Sequence, residues 1–272
     1  MRLSHYRVSK VTTSTTTNQI IMNTIKRTFL LIAALAAFIP LAPAATVIWG
    51  SPTNISGNTD VSTTGSFVQA YHFGDYAGTT SATVNGVLFS ATGVYPFPNG
   101  TNSEPFGGVN SLTSTGTIYG YNGFGSSATP YSALSPEYRN LLSSAVIGFT
   151  GSMTFTLNGL TSGQDYQIQF FSNDSSDLVG PNIARATSIT SGNTVTLVSN
   201  TAFPNGTPGG TGQWVIGAFN AVGTSQVFTF EVANNAFELN GYQLRAVPEP
   251  ATWMLMALSG AFLMVLRRRR VA

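Results

Sequence analysis

Met153-Thr154-Phe155-Thr156-Leu157 is followed after a short gap by Tyr166-Gln167-Ile168-Gln169-Phe170. Both segments alternate apolar and polar side chains with a period of two, the pattern of a strand buried on one face. Between them Asn158-Gly159-Leu160-Thr161-Ser162-Gly163 is a turn-forming run. The same pattern recurs outward in both directions. Thr194–Val198, Trp214–Asn220, Gln226–Val232 and Glu238–Arg245 follow, and Thr46–Trp49, Phe67–Phe73, Thr83–Val84 and Val87–Ser90 precede. The last two flank Asn85-Gly86, the favoured two-residue hairpin turn. Short strands without a βαβ rhythm predict an all-β domain, a single β-sandwich of jelly-roll type.

One helix interrupts the strands. Ser135 is suited to cap it, Pro136 to its first position and Glu137 to the positive end of its dipole. Tyr138, Leu141, Leu142 and Ala145 share a face, which predicts a helix over 136–143 at one end of the sandwich. Pro96–Gly108 and Phe203–Gly212 read as loops, rich in Gly, Pro and Asn. Neither a second globular domain nor an internal repeat is visible.

The two ends of the chain are addresses. Lys26 and Arg27 precede the apolar stretch Phe29–Ile39, and small residues follow up to Ala45. A basic start, a short apolar core and a small-residue exit describe a secretory signal peptide over 22–45, cut after Ala44 or Ala45. Met22 opens a better signal sequence than Met1, so residues 1–21 read as a non-native upstream extension. A tryptic peptide from that segment in the expressed precursor would contradict this. At the other end stand Pro248-Glu249-Pro250, the uncharged run Ala251–Leu266, and Arg267, Arg268, Arg269 and Arg270. Two prolines within three residues hold that triplet extended. The 16-residue run reaches roughly 24 Å as a transmembrane helix, short of the ~30 Å hydrocarbon core unless the arginine stems snorkel. The arginines also hold their end in the cytoplasm as a membrane stop.

This tail resembles the PEP-CTERM sorting signal of exported Gram-negative proteins. Pro248, Glu249 and Pro250, the apolar span and the arginine cluster all stand in the family's order. The resemblance implies delivery by the secretion translocon and a transient stay in the inner membrane as a precursor. An exosortase-type membrane protease or transpeptidase would then remove the tail near the triplet and release the protein to the cell surface or extracellular matrix. A permanent, uncut anchor is the alternative. The expected organisation is therefore 1–21, a signal peptide 22–45, a sandwich ectodomain 46–246 and a sorting signal 247–272.

Without its ends the chain changes sign. The whole sequence carries a formal charge of +2, whereas between Thr46 and Val247 three bases (Arg139, Arg185, Arg245) face nine acids, for −6. That segment has no lysine, so it offers no basic cluster for phosphates, and nucleic acid is excluded as a partner. There is no cysteine, which removes disulfides, thiol catalysis and cysteine-ligated zinc.

The interior resembles malectin-like and galactose-binding-like β-sandwiches, through Gly159-Leu160-Thr161-Ser162-Gly163-Gln164-Asp165-Tyr166 and Leu239-Asn240-Gly241-Tyr242-Gln243-Leu244-Arg245. Asp60-Val61-Ser62-Thr63 and Val84-Asn85-Gly86-Val87-Leu88-Phe89 are similar to N-terminal segments of other secreted PEP-CTERM proteins. These likenesses imply a fold more than an activity.

Chemistry-bearing residues are few. His72 is the only histidine after Ala45, within Tyr71-His72-Phe73, and no Gly-x-Ser-x-Gly elbow accompanies it. Packing among aromatics is its expected role. Glu104 and Glu137 would make a glycosidase pair only if about 5–9.5 Å apart. No catalytic residue is assigned and no enzyme is expected. Asn173-Asp174-Ser175-Ser176-Asp177 gathers oxygen ligands, making Asp174 and Asp177 candidate calcium ligands, but the run lacks the EF-hand glycine and glutamate and suits an Asx turn without an ion. No other cofactor is implied. Tyr119-Gly120-Tyr121-Asn122-Gly123-Phe124-Gly125 reads as an exposed loop, with Tyr119 and Tyr121 as candidates for stacking on a sugar; Trp49 and Trp214 read as core. The expected function is a structural or adhesive role at the surface or in the matrix, with a carbohydrate-binding module for an exopolysaccharide as the alternative.

Overall fold

The computed structural model describes residues 45–76, 78–94, 102–176, 185–201 and 208–248. Among them are seventeen strands in three sheets and one α-helix. The largest sheet holds β1 (Ile48–Trp49), β2 (Thr53–Asn54), β3 (Ser66–Asp75), β4 (Ala82–Val84), β5 (Val87–Val94), β11 (Asp165–Ser172), β14 (Gln213–Asn220) and β17 (Gly241–Val247). Its order is β1-β14-β11-β17-β3-β5-β4, with β2 also on β14. A six-stranded sheet contains β6 (Asn102–Phe106), β7 (Asn110–Ser114), β10 (Ser152–Asn158), β12 (Ala186–Ser191), β13 (Asn193–Val198) and β15 (Ser225–Asn234). The smallest joins β8 (Ile118–Tyr121), β9 (Ala145–Gly148) and β16 (Phe237–Leu239).

From β10 onward the chain passes repeatedly between the two large sheets, the winding a jelly roll requires, with the parallel β3–β5 pair as a departure. The alternation in β10 does what its period dictates. Met153, Phe155 and Leu157 are fully buried, while Ser152, Thr154, Thr156 and Asn158 are half-buried on the other face. Opposite them Ile168, Phe170, Tyr242 and Leu244 complete the inter-sheet core. Phe155 is the hub: its ring lies 4.8 Å from that of Tyr242, 5.5 Å from Phe106, 5.8 Å from Phe228 and 5.9 Å from Phe170. Each such side chain contributes roughly 1.5–3 kcal/mol by leaving water, and edge-to-face pairs add to that.

The outer face of the large sheet carries a second core. The helix α1 (Pro136–Leu142) packs there through Tyr138, Leu141 and Leu142 against Val84, Phe89 and Phe171. Ser135 caps it as expected, its Oγ accepting the Tyr138 N–H at 3.2 Å. The helix stops at Leu142, and Ala145 opens β9 instead of continuing the helical face. Beside this core, segment 56–64 is strapped to the sheet by amide side chains. Gln169 Nε2 donates to Asp60 O at 2.7 Å, Gln243 Nε2 to Ser62 O at 3.0 Å, and Asn85 Nδ2 to Val61 O at 2.8 Å. Asn85 and Gly86 both have positive φ (49° and 75°), the hairpin turn the dipeptide predicts.

Several expectations need correction. Asn102–Phe106 is strand β6 within the stretch read as a loop, and Ile118–Tyr121 is strand β8 rather than loop. The run Glu238–Arg245 is two strands, broken at Asn240. There the chain leaves the three-stranded sheet for the large one, and the buried Asn240 amide holds the crossing. Its Nδ2 donates to Leu142 O and Ser144 O at 2.9 Å and to Asn173 O at 3.2 Å, while Oδ1 accepts the Asn173 N–H. The signal peptide, residues 1–21, Glu249, Pro250, the apolar span and Arg267–Arg270 lie outside the described residues. Among those described, no helix is long and apolar enough to cross a membrane.

The register places both ends of the domain at one pole. Ile48, Ala218, Gln167 and Arg245 lie in one row across four adjacent strands, so β1 and β17 are about 14 Å apart at the ~4.8 Å strand spacing. From Gly241, β17 runs roughly 20 Å to Val247 at about 3.3 Å per residue. Asn173, Glu238 and the three-stranded sheet therefore sit at the pole away from the exposed Pro248.

Candidate functional site

The three-stranded sheet builds the site at that distal pole. Tyr119, Ile147 and Glu238 are directly paired across β8, β9 and β16, so their side chains share one face. The opposite face, with Ile118, Val146, Phe237 and Leu239, belongs to the main core. Tyr121 lies two residues beyond Tyr119 and hence on the same face. Between them Gly120 crosses β3: a Cβ there would stand 1.9 Å from Gly74 O, so only glycine lets the strands approach this closely.

Tyr119, Tyr121, Phe124, Ile147, Phe149 and Arg185 line a cleft of about 190 Å³. The rings are mutually braced, Tyr119 at 6.1 Å from Phe149 and Tyr121 at 5.0 Å from Phe124. The Arg185 Cζ lies 5.7 Å from the centroids of both Phe124 and Phe149, within cation–π range. Its Nη1 donates to Asp174 Oδ2 at 2.8 Å and to Glu238 Oε1 at 2.6 Å. Among the described residues these two bonds, both from Nη1, are the hydrogen bonds of the guanidinium, and the side chain is 11% exposed.

The electrostatics follow from burial. Glu238 is fully buried, and desolvation together with the Asp174 charge pushes its carboxyl up to about 8 against the opposing pull of Arg185. Among the described residues no well-formed hydrogen bond reaches its Oε2, although Ser199 lies close enough to draw its pKa down. An unmet oxygen is less costly protonated than anionic. Burial opposes the charge on Arg185 as well, yet Glu238 and Asp174 hold the guanidinium above its ordinary range. Burial also raises Tyr119, leaving a neutral phenol in the cleft.

The two candidate tyrosines are thus brought together. Asp174 is not beside them as an open ligand: its carboxylate binds Arg185 and accepts the Ser176 N–H at 3.1 Å, the Asx turn that such a run forms. Asp177 lies outside the described residues, among which no group of three His, Cys, Asp or Glu side chains is arranged to hold a metal. His72 is buried on the outer face of β3, with Nε2 2.7 Å from Thr80 O and its pKa lowered by desolvation, so it stays neutral. Glu137 is exposed on the first turn of α1 and Glu104 belongs to β6 of the other sheet, its side chain outside the described residues. Trp49 and Trp214 are half-buried against the two cores.

Arg185, Glu238 and Phe149 were not foreseen. Arg185 carried one legible signal, as one of only three bases among nine acids between Thr46 and Val247. Glu238 and Phe149 carried none, since their roles depend on strand pairing across the smallest sheet.

No curated protein matches the chain. Among solved structures, it is similar to the enzymatically active domain of tailspike protein 4 of bacteriophage CBA120, at 13% identity and a TM-score of 0.26, over 51% of this chain and 19% of that one. It therefore spans about a fifth of the tailspike chain. It is also similar to a carbohydrate-binding module of the β-sandwich superfamily, at 11% identity and a TM-score of 0.17, over 76% of this chain and 97% of that one. Overlaps this low bear on neither fold nor activity. The tail is different: it matches the model of the PEP-CTERM protein-sorting motif over residues 246–270, beginning within β17. The chain carries a PEP-CTERM protein-sorting motif at its C-terminal end.

Proposed function

We propose that residues 46–246 act outside the cell as a structural and adhesive β-sandwich of the surface or exopolysaccharide matrix, without catalysing a reaction. The sorting motif at 246–270 carries this reading, because it implies export and handling by an exosortase. The fold suits removal of the tail. Its last strand, β17, lies centrally between β11 and β3, and the chain emerges at the exposed Pro248. Cutting beyond that residue removes none of the described strands. The signal peptide and translocon complete the route.

A carbohydrate-binding module is the second reading, and the cleft favours it. Four aromatic rings beside a guanidinium give an apolar wall and a placed polar group, the combination used by specific ligand sites. The cleft also lies at the pole opposite Pro248, which suits access while the precursor is held by its C-terminal end.

Fractionation of cells that possess an exosortase tests the main reading. The wild-type chain is expected shortened, in the surface and matrix fractions. The Glu249→Ala chain is expected at full length in the inner membrane. A wild-type chain that stays full-length in that membrane would instead identify a permanent anchor.

A further inference from the structure

We propose that the Tyr119–Phe149–Arg185 cleft seats one neutral hexopyranose unit of a polysaccharide and discriminates against acidic sugars. This rests on the carbohydrate-binding reading and adds the charge class of the ligand and the place where it binds.

Size and shape limit the occupant. The cleft of about 190 Å³ holds the volume of roughly six waters at ~30 Å³ each, enough for a single sugar ring and its substituents. Tyr119 and Tyr121 face the same way along β8, and Phe149 stands close to Tyr119. A pyranose has one face made of C–H groups, which carry slight positive charge and fit the negative face of an aromatic ring. Tyr121 and Phe149 are 44% and 45% exposed, so these rings border the mouth rather than fill the core.

Charge selects among sugars. Among the described residues Arg185 hydrogen-bonds through Nη1 alone, and its positive charge is already paired there with Asp174 and Glu238. A uronate carboxylate beside the guanidinium would lie close to the buried Asp174 carboxylate that already pairs with it, inside a domain of formal charge −6. Repulsion there is weakly screened, because Asp174 is buried. An ammonium sugar would meet the guanidinium itself. Hydroxyl and ring oxygens can accept from guanidinium N–H groups without either penalty, and the tyrosine hydroxyls can donate or accept at the rim.

Affinity electrophoresis of the detergent-solubilised full-length chain tests this. The gels contain a neutral polysaccharide (dextran, galactomannan or xyloglucan) or an acidic one (alginate or polygalacturonate). Retardation is expected in at least one neutral gel and in neither acidic gel. Tyr121→Ala and Phe149→Ala lie outside the core and should each weaken it roughly two- to tenfold. Retardation by the acidic polymers alone would overturn the neutral assignment and leave carbohydrate binding standing. Retardation by a neutral polymer that both variants retain would move the site elsewhere and overturn the cleft. No retardation in any gel would overturn both the inference and the carbohydrate-binding reading.

Discussion

Arg185 donates through Nη1 to Glu238 Oε1 at 2.6 Å, a contact that spans 53 positions of sequence and ties the start of β12 to the middle of β16. The same nitrogen holds Asp174 after β11, so one guanidinium joins all three sheets at the distal pole. Removing it leaves the buried Asp174 carboxylate without a counter-charge and the Glu238 carboxyl without its hydrogen-bond donor. Arg185→Met should cost about 3–5 kcal/mol, whereas Glu238→Gln should cost less because the amide oxygen can still accept. Urea unfolding of the two variants measures the difference.

Stability should also depend on pH through Glu238. Its folded carboxyl is pushed up to about 8 from an ordinary 4.5, chiefly by burial. Between those values the folded chain keeps a proton that the unfolded chain releases. Glu238 therefore makes stability fall as pH rises through about 4.5 to 8, and its contribution levels off above that window. The Glu238→Gln chain should lack that component of the slope in urea midpoints measured at pH 5, 6, 7 and 8.

Phe155 should dominate the main core. Its ring meets those of Phe106, Phe170, Phe228, Phe230 and Tyr242, from both sheets of the sandwich. Phe155→Ala should destabilise by about 3–5 kcal/mol, with the loss set by how little the surrounding rings can collapse into the space. Thermal and urea unfolding both report it.

Gly120 links the fold to the cleft. A methyl group there meets the Gly74 carbonyl, so β8 must move away from β3 and carry Tyr119 and Tyr121 with it. Gly120→Ala should cost about 1–3 kcal/mol by overpacking and weaken polysaccharide retardation beyond what Tyr121→Ala does alone. Urea unfolding and the affinity gels read the two effects separately.

What the sequence made legible was local. The alternation of Met153–Leu157 and Tyr166–Phe170, the Asn85-Gly86 turn and the Ser135 cap each depend on residues close in sequence, and each stands in the fold. The three-stranded sheet was missed for a physical reason. Ala145–Gly148 is buried at every position, so it has no alternation to read, and Ile118–Tyr121 contains the glycine that its crossing demands. Tyr119 and Tyr121 were legible as aromatics spaced by glycine. Their wall partner Phe149 and the Asp174–Arg185–Glu238 cluster were not, because their side chains meet only through long-range pairing. Asn240 shows the same limit: a single apolar-polar run hides a change of sheet that only its four hydrogen bonds reveal.

The adhesive claim is tested most directly in the matrix itself. Cells that export the wild-type chain, or the Tyr121→Ala/Phe149→Ala double variant, are grown as biofilms, and the exopolysaccharide is sedimented and probed for the protein. The wild-type chain should sediment with the polysaccharide, while the double variant, equally folded and equally exported, should appear in the supernatant. Equal sedimentation of both would contradict a role for the cleft, and a wild-type chain found only in the supernatant would contradict adhesion altogether.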